Sequence, residues 1–260
     1  MLAPAARRVD AVLFDLDDTL VPFQTVARWQ WAWRPHGPIL SERHARAAIR
    51  RQVHAWDRQR WVGSTGKGPL ADLATYRTHL HATLAAIAGH AVAATEADPV
   101  VERFMKPTSA TETFPDAAKC VDDLRRDGVR LGVATLFSVE VATEFVRRAG
   151  LGAVTVISAP GTPELPPFPS KAAFRRASEA LGTPVDRMGY VGDLFWSDFR
   201  AARRAHLVPF LVERPGHETE GEAERVRDLI ELPKRLAEAG PTPPVGPVAD
   251  EPSDVPPPPE

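Results

Sequence analysis

Five short apolar segments recur along the chain, and helix-like stretches alternate with four of them. The apolar segments cover residues 9–14, 129–134, 153–158, 187–191 and 207–212. The helix-like stretches cover residues 116–127, 139–149, 170–181 and 197–205, and glycines follow several of them, which is a common stop signal for a helix. Strands that alternate with helices form a parallel sheet with helices on both faces. The pattern therefore predicts an α/β fold around a parallel sheet of five strands.

A stretch of roughly a hundred residues separates the first two apolar segments, and this is too long for a simple crossover. Helices are predicted within it at 41–61, 70–88 and 98–105, each with a Ser or Asp at or near its start. We therefore predict a core at 1–20 and 109–239 with a helical insertion at 21–108. Residues 240–260 hold nine of the 26 prolines and are predicted to form a disordered tail.

The composition argues against several classes of protein. The chain has 260 residues and a formal net charge of −2, so it lacks the positive excess that nucleic-acid and polybasic membrane contacts require. Its single cysteine excludes an intrachain disulfide and a cysteine-based zinc site. No apolar run approaches the ~18 residues of a membrane span. We expect a cytoplasmic protein with no nucleic-acid or membrane partner, and the pattern carries no signal for an oligomeric state.

Polar residues follow three of the predicted strands. Asp15 and Asp17 come after the first strand, Thr135 after the second, and Asp193 and Asp198 after the fourth. Because the carboxyl ends of parallel strands meet at one edge of a sheet, we expect these side chains to converge. Clustered carboxylates repel one another unless a cation lies among them, and oxygen ligands without Cys or His favour Mg²⁺. The alternative is that the first two aspartates serve as turn formers or helix caps.

These residues are arranged as in a known family. Asp-x-Asp-x-Thr at 15–19, the threonine at 135 and Gly-Asp-x-x-x-x-Asp at 192–198 resemble the motifs of the haloacid dehalogenase superfamily of phosphohydrolases. The resemblance implies a Rossmann-like core, and it implies that the helical insertion is a cap that closes over the site. It covers roughly residues 9–236.

The resemblance also implies a role for each motif residue. Asp15 is expected to attack phosphorus and to form an aspartyl-phosphate, and Asp17 to act as general acid and then general base. Thr135 is expected to hold a phosphate oxygen. The expected Mg²⁺ site comprises Asp15, Asp193 and Asp198, with Asp17 contributing its backbone carbonyl.

The lysine of the family's third motif is displaced in this sequence. Phe168 occupies its place, and Lys171 follows three residues later at the start of a predicted helix. We favour Lys171 as the catalytic and substrate-binding cation, because no other candidate cation for the nucleophile and phosphate is evident in the sequence. The alternative is an ordinary solvated side chain in the first turn of the helix.

The predicted insertion contains two further groups of candidate residues. Lys67 lies in the glycine-rich stretch 63–68, and it is expected either to reach the substrate or to lie in a solvent-exposed loop. Five tryptophans are expected to pack the insertion or its hinge, and the alternative is that they line an apolar pocket for a ring or lipid-like leaving group. They are Trp29, Trp31, Trp33, Trp56 and Trp61.

Together, the resemblance and the motif residues predict a hydrolase with a small phosphorylated substrate. The hypothesis is a Mg²⁺-dependent phosphatase that acts through an aspartyl-phosphate on Asp15. A phosphomutase or a diphosphate hydrolase is an alternative that uses the same motifs, and a catalytically weakened protein that binds a ligand or a partner is a second. A dehalogenase is disfavoured, because family members that cleave carbon–halogen bonds lack an acid at the position of Asp17.

Overall fold

The computed structural model describes residues 9–34, 41–65, 68, 71–108, 111–161, 166–214 and 223–238. The described residues contain one parallel sheet with the strand order β3-β2-β1-β4-β5-β6. The strands are β1 (Ala11–Asp15), β2 (Arg130–Thr135), β3 (Thr155–Ser158), β4 (Met188–Gly192), β5 (Val208–Val212) and β6 (Arg225–Val226). The α/β class and the parallel sheet are as predicted, but the prediction of five strands is wrong. The sixth strand has only two residues and pairs with Leu211 and Val212 of β5.

The described helices alternate with the strands after β2, and five of them lie between β1 and β2, the first four within the predicted insertion. The four inserted helices are α1 (Val26–Trp33), α2 (Glu42–Ser64), α3 (Leu73–Ala88) and α4 (Ala94–Phe104). The others are α5 (Pro115–Arg126), α6 (Val139–Arg148), α7 (Lys171–Leu181), α8 (Ala201–Arg204) and α9 (Leu232–Glu238). None of the described helices combines the length and apolar character that a membrane span requires.

Strand β1 is buried along its whole length, and its side chains alternate between the two faces of the sheet. Val12 and Phe14 belong to a core cluster that includes residues of α5 and α6. Ala11 and Leu13 belong to a second cluster that includes residues of α7 and α8. Because helices cover both faces, a continuous apolar run such as 11–14 is stable as the central strand.

Several helix starts have the side-chain caps that the sequence pattern predicts. Hydroxyl oxygens of Ser41, Ser138 and Ser170 accept hydrogen bonds from backbone N–H groups in the first turns of α2, α6 and α7. The Asp72 carboxylate does the same for α3. Helix α4 begins earlier than predicted, at Ala94, and the helix predicted at 197–205 opens with a π-helical turn over Phe195–Arg200.

The predicted insertion is helical in its described part, and the sequence pattern missed its first helix, α1. The domain boundaries at 20, 108 and 239 stay a prediction. Lys67 and residues 240–260 of the predicted tail lie outside the described residues.

Candidate active site

Three carboxylates from β1 and from the segment after β4 meet at the carboxyl edge of the sheet. Asp15 ends β1, Asp193 directly follows β4, and Asp198 lies in the π-helical turn. One oxygen of each carboxylate lies within 4.8 Å of the others. Thr135 ends the neighbouring strand β2 and lines the same pocket as Asp15. The structure therefore brings these predicted residues together.

The segment after β4 folds back so that Asp198 lies over the carboxyl end of β4. The Asp198 carboxylate accepts hydrogen bonds from the backbone N–H of Leu194 at 3.0 Å and from the Tyr190 hydroxyl at 3.1 Å. Gly192 makes this approach possible, because a Cβ atom at this position would collide with the Asp198 carboxyl group. The glycine of the last motif therefore has a steric role.

A tight turn after β1 places Asp17 in the pocket. Asp18 adopts a positive φ of 58°, and its carboxylate accepts hydrogen bonds from the backbone N–H groups of Phe23 and Gln24. Asp18 thus has the turn-forming role that the sequence analysis considered as the alternative for Asp15 and Asp17. Asp17 lines the pocket, and its buried Oδ1 has no hydrogen-bond partner within the protein. Its carboxylate is available to a ligand.

Burial and mutual repulsion disfavour the ionised form of these carboxyl groups. Burial, followed by the charge of Asp198, raises the pKa of Asp15 well above its ordinary value. Burial and the adjacent Asp18 raise the pKa of Asp17 to about 8. Burial also raises the pKa of Asp198 to about 7, although the positive charge of Arg60 opposes this shift. A bound cation would lower the cost of holding these groups ionised.

The donor set fits Mg²⁺. Asp15, Asp193 and Asp198 offer carboxylate oxygens only, and their spacing of up to 4.8 Å suits ligands of a single ion. These three residues would hold the metal, which would neutralise part of the negative charge at the edge of the sheet. The Thr19 hydroxyl donates to Asp193 Oδ1 at 3.2 Å and helps to orient that carboxylate.

Helix α2 of the insertion brings a cation to this site. Arg60 is only 6% exposed, lines the pocket, and places Nη1 4.0 Å from Asp198 Oδ1. Burial lowers the pKa of Arg60, but the charges of Asp198 and Asp15 outweigh burial and raise it. The guanidinium therefore stays charged within a group of acids.

The same helix is hydrogen-bonded to the π-helical turn. The buried Asp57 carboxylate accepts hydrogen bonds from the backbone N–H groups of Trp196 at 3.1 Å and Ser197 at 2.6 Å. Trp61 lies beside Trp196 with a ring-centroid distance of 6.0 Å, and the Arg200 guanidinium lies over both rings. These contacts fix the second half of α2 against the segment that carries Asp198.

The pocket contains about 500 Å³ of empty space, part of it open to solvent. Carboxylates and Thr135 line the wall formed by the strand ends. The wall formed by the inserted helices is mostly apolar or aromatic at Val53, Trp56 and Tyr76, and Leu136 and Leu194 add apolar surface beside Thr135 and Asp193. The site therefore has a charged end and an apolar end.

A family model described as a haloacid dehalogenase-like hydrolase matches residues 9–206. The chain belongs to this family of hydrolases. The matched region runs from just before β1 to just beyond α8, so it includes every carboxylate of the site as well as Arg60. No curated protein matches the chain significantly.

Solved structures from the haloacid dehalogenase group have a similar fold. An L-2-haloacid dehalogenase from Xanthobacter autotrophicus aligns with a TM-score of 0.64 and 18% identity, over 89% of this chain and 100% of that chain. The putative hydrolase YfnB from Bacillus subtilis, whose structure is bound to magnesium, aligns with a TM-score of 0.65 and 17% identity, over 88% and 99%. At these identities, the likeness shows a shared fold alone.

This member of the family departs from the expected third motif. Phe168, which stands in the place of the lysine, is 1% exposed and packs edge-on against Phe174 at 5.6 Å. Lys171 is the exposed first residue of α7 and does not line the pocket. The premise that the site has no other cation is therefore wrong, because Arg60 supplies one.

Sequence reasoning missed Arg60 and Asp57, although α2 contains a signal for both. Val53, Trp56 and Trp61 recur at the spacing of one helix face, and Asp57 and Arg60 fall on that same buried face. Charged residues within the apolar stripe of a helix need a partner in the interior. Here the partners are the π-helical turn and the carboxylates.

The tryptophans divide between the two roles considered for them. Trp29 is fully buried and stacks on Phe104 at 4.0 Å, which is the expected packing role. Trp61 packs against Trp196, and Trp31 is 38% exposed. Trp56 packs against Tyr76 and His79 and also lines the pocket, so both roles stay open for this residue.

Proposed function

We propose that this protein is a Mg²⁺-dependent phosphatase that hydrolyses a small phosphomonoester through an aspartyl-phosphate on Asp15. The observation that carries the proposal is the Asp17 carboxylate, which lines the pocket beside Asp15 with a buried oxygen that no protein group satisfies. A carboxyl group at this position can protonate a leaving oxygen. Cleavage of a phosphate ester needs that proton, whereas departure of a halide does not.

In the first half-reaction, Asp15 Oδ attacks phosphorus while the bond from phosphorus to the leaving oxygen breaks and Asp17 protonates that oxygen. In the second, Asp17 takes a proton from the water that attacks the aspartyl-phosphate, which releases inorganic phosphate and restores Asp15. The Thr135 hydroxyl donates to a phosphoryl oxygen. When bound at Asp15, Asp193 and Asp198, Mg²⁺ supplies charge neutralisation between the carboxylate nucleophile and the anionic phosphate.

The apolar end of the pocket favours an aryl or alkyl leaving group. The side chains of Gln24 and Tyr76 in this region hydrogen-bond to each other at 3.3 Å, and the Gln24 carbonyl oxygen accepts a hydrogen bond from the Trp29 ring N–H. Few polar groups are then left to pair with the hydroxyls of a sugar. Val53 and Trp56 offer apolar surface instead.

Hydrolysis of a 2-haloacid is the second candidate, and the solved structures titled as L-2-haloacid dehalogenases favour it. In that reaction Asp15 would attack carbon, and the halide would leave without a proton. The carboxylates of Asp17, Asp193 and Asp198 then have no clear task, because a halide and a carboxylate both gain from positive surroundings. We therefore rank this candidate below the phosphatase.

The test measures two products in parallel. Phosphate release is followed with phenyl phosphate, ethyl phosphate, glucose 6-phosphate and pyrophosphate in Mg²⁺, and halide release is followed with 2-chloropropionate. We expect phosphate from the aryl and alkyl esters, loss of activity with a chelator, and no turnover by Asp15→Asn. Halide release without phosphate release would establish the second candidate. Phosphate from pyrophosphate alone would indicate a diphosphate hydrolase, and no product from a folded protein would indicate a binding protein.

A further inference from the structure

We propose that Arg60, on helix α2 of the insertion, is the catalytic cation that binds the phosphoryl group during transfer. The inference rests on the phosphatase function, because it assigns the partner of the transferred group. It gives Arg60 the task that the displaced lysine of the third motif leaves open. The positive charge then comes from the insertion and not from the core.

The first argument is the incomplete pairing of the Arg60 guanidinium. A guanidinium has five N–H donors, and burying it is costly unless they are paired. The contact with Asp198 is long, at 4.0 Å, and the buried Nε has no hydrogen-bond partner within the protein. A planar group with unused donors at the wall of a pocket is suited to bidentate contact with a phosphoryl oxygen pair.

The second argument is the charge of the pocket. Among the described lining residues, Arg60 is the one with a positive side chain, and it shares the pocket with Asp15, Asp17, Asp18 and Asp193. One divalent ion offsets two of these charges, and the phosphate monoester adds up to two more. A second positive centre is therefore needed for an anionic nucleophile to approach an anionic phosphate.

The other candidate cations have different surroundings. The Arg28 guanidinium donates to the backbone carbonyls of Phe104 and Lys106 and lies over the ring of Phe23. It therefore has partners along the base of the insertion. Lys171 is exposed at the start of α7. Neither residue lines the pocket.

The third argument is that Arg60 is held in place before any ligand binds. Asp57, one turn earlier on α2, accepts two backbone hydrogen bonds from the turn that carries Asp198. At the end of the same helix, the Ser64 carbonyl accepts a hydrogen bond from Arg204 at 3.3 Å. The position of Arg60 relative to the carboxylates is thus set by contacts on both sides of it, which reduces the cost of ordering a long side chain.

The experiment compares Arg60→Met and Arg60→Lys with Lys171→Met as the matched control. Steady-state kinetics with phenyl phosphate in Mg²⁺ gives kcat and KM, and calorimetry gives the affinity for inorganic phosphate. We expect Arg60→Met to lower kcat/KM by ~10²-fold or more and to weaken phosphate binding at least tenfold. Arg60→Lys keeps the charge but loses the planar fork, so its loss should be smaller. Lys171→Met should stay within threefold of the parent protein.

A chemical rescue separates a catalytic loss from a folding defect. Added guanidinium ion at low millimolar concentration should restore part of the rate of Arg60→Met and none of the rate of Asp15→Asn. An Arg60→Met protein within threefold of the parent in rate and phosphate affinity would overturn the inference, as would a hundredfold loss in Lys171→Met. If the parent protein releases no phosphate from any ester, the proposed function fails instead, and the calorimetry alone then decides whether Arg60 binds the anion.

Discussion

Asp17 distinguishes between the two reactions that an attack by Asp15 can begin. An alkoxide leaving group needs a proton, and an acidic phenol needs it far less. Asp17→Asn should therefore lower the rate with ethyl phosphate by ~10²- to 10⁴-fold and the rate with p-nitrophenyl phosphate much less. Rates with esters of graded leaving-group pKa measure this difference.

The neighbouring Asp18→Asn is the control, because the Asp18 carboxylate holds the turn by its bonds to Phe23 and Gln24. Its substitution should affect all esters equally. Equal losses across the series for Asp17→Asn would contradict its role as the proton donor.

The lack of a side chain at Gly192 allows the Asp198 carboxyl group to approach the backbone. A Cβ there would collide with the Asp198 carboxyl, so Gly192→Ala forces that group away from its place. We expect a loss of about 1–3 kcal/mol in the free energy of unfolding, together with weaker Mg²⁺ binding. Denaturant titration and calorimetry measure the two effects.

Gly189 in the same strand provides the matched control. A Cβ at Gly189 meets its nearest atoms, on Leu236, Val12 and Val9, at 3.5 Å, which is ordinary contact. Gly189→Ala should therefore leave Mg²⁺ binding unchanged. The steric account of Gly192 fails if both alanine variants bind Mg²⁺ with the affinity of the parent.

At the scale of elements, the anchoring of α2 by Asp57 can be tested directly. Asp57→Ala leaves the N–H groups of Trp196 and Ser197 without an acceptor. This should cost about 2 kcal/mol in the free energy of unfolding and should weaken Mg²⁺ binding, because the turn also carries Asp198. Denaturant titration and calorimetry again measure the two quantities.

Asp72 caps α3 through a comparable bond to a backbone N–H, that of Thr75, and lies in another helix. Asp72→Ala should cost about 1 kcal/mol and leave Mg²⁺ binding unchanged. If Asp57→Ala behaves in the same way, Asp57 has only a capping role and does not position the site.

The main elements were predictable because burial imposes a simple pattern on them. Strands β1, β4 and β5 are buried at every position, so their apolar runs mark them within two residues. Strand β6 has no such pattern, since two residues are too few to show one and its pairing with β5 depends on the backbone. The alternating tryptophans of α1 obscured its helical period.

The carboxylates of the site were predictable for a topological reason, and Arg60 was not. In a parallel sheet, Asp15 and Asp193 lie close together because strands β1 and β4 pair, and this holds for any conformation of the loops. Arg60 reaches the same edge only through the packing of α2 on the π-helical turn, which no rule of strand order specifies. Lys171 was favoured because no other candidate cation was evident in the sequence, and Lys171 does not line the pocket.

At the scale of the whole molecule, His79 links stability to pH. It is buried against Trp56, and burial lowers its pKa to about 4 from an ordinary value near 6.5. Between these pH values the unfolded chain binds a proton that the folded chain does not, so stability falls as the pH falls from about 6.5 to 4. The slope from this one group is about 1.4 kcal/mol per pH unit.

His79→Phe keeps a ring against Trp56 and removes the titrating group. We expect its free energy of unfolding to fall less steeply than that of the parent over this pH range, as followed by denaturant titration at several pH values. The exposed His90→Gln is the control and should keep the parent slope. A constant difference between His79→Phe and the parent at every pH would refute the linkage.

The attachment of α2 by Asp57 and Arg60 has a consequence for how this protein can diverge. Where an inserted module only selects substrates, exchanging it by recombination can create a new preference in one step. On the role proposed for Arg60, such an exchange here discards part of the catalytic apparatus as well. Chimeras would be inactive, and not merely altered in preference. New preferences would then arise by point substitutions at pocket-lining positions such as Val53, within an otherwise unchanged α2.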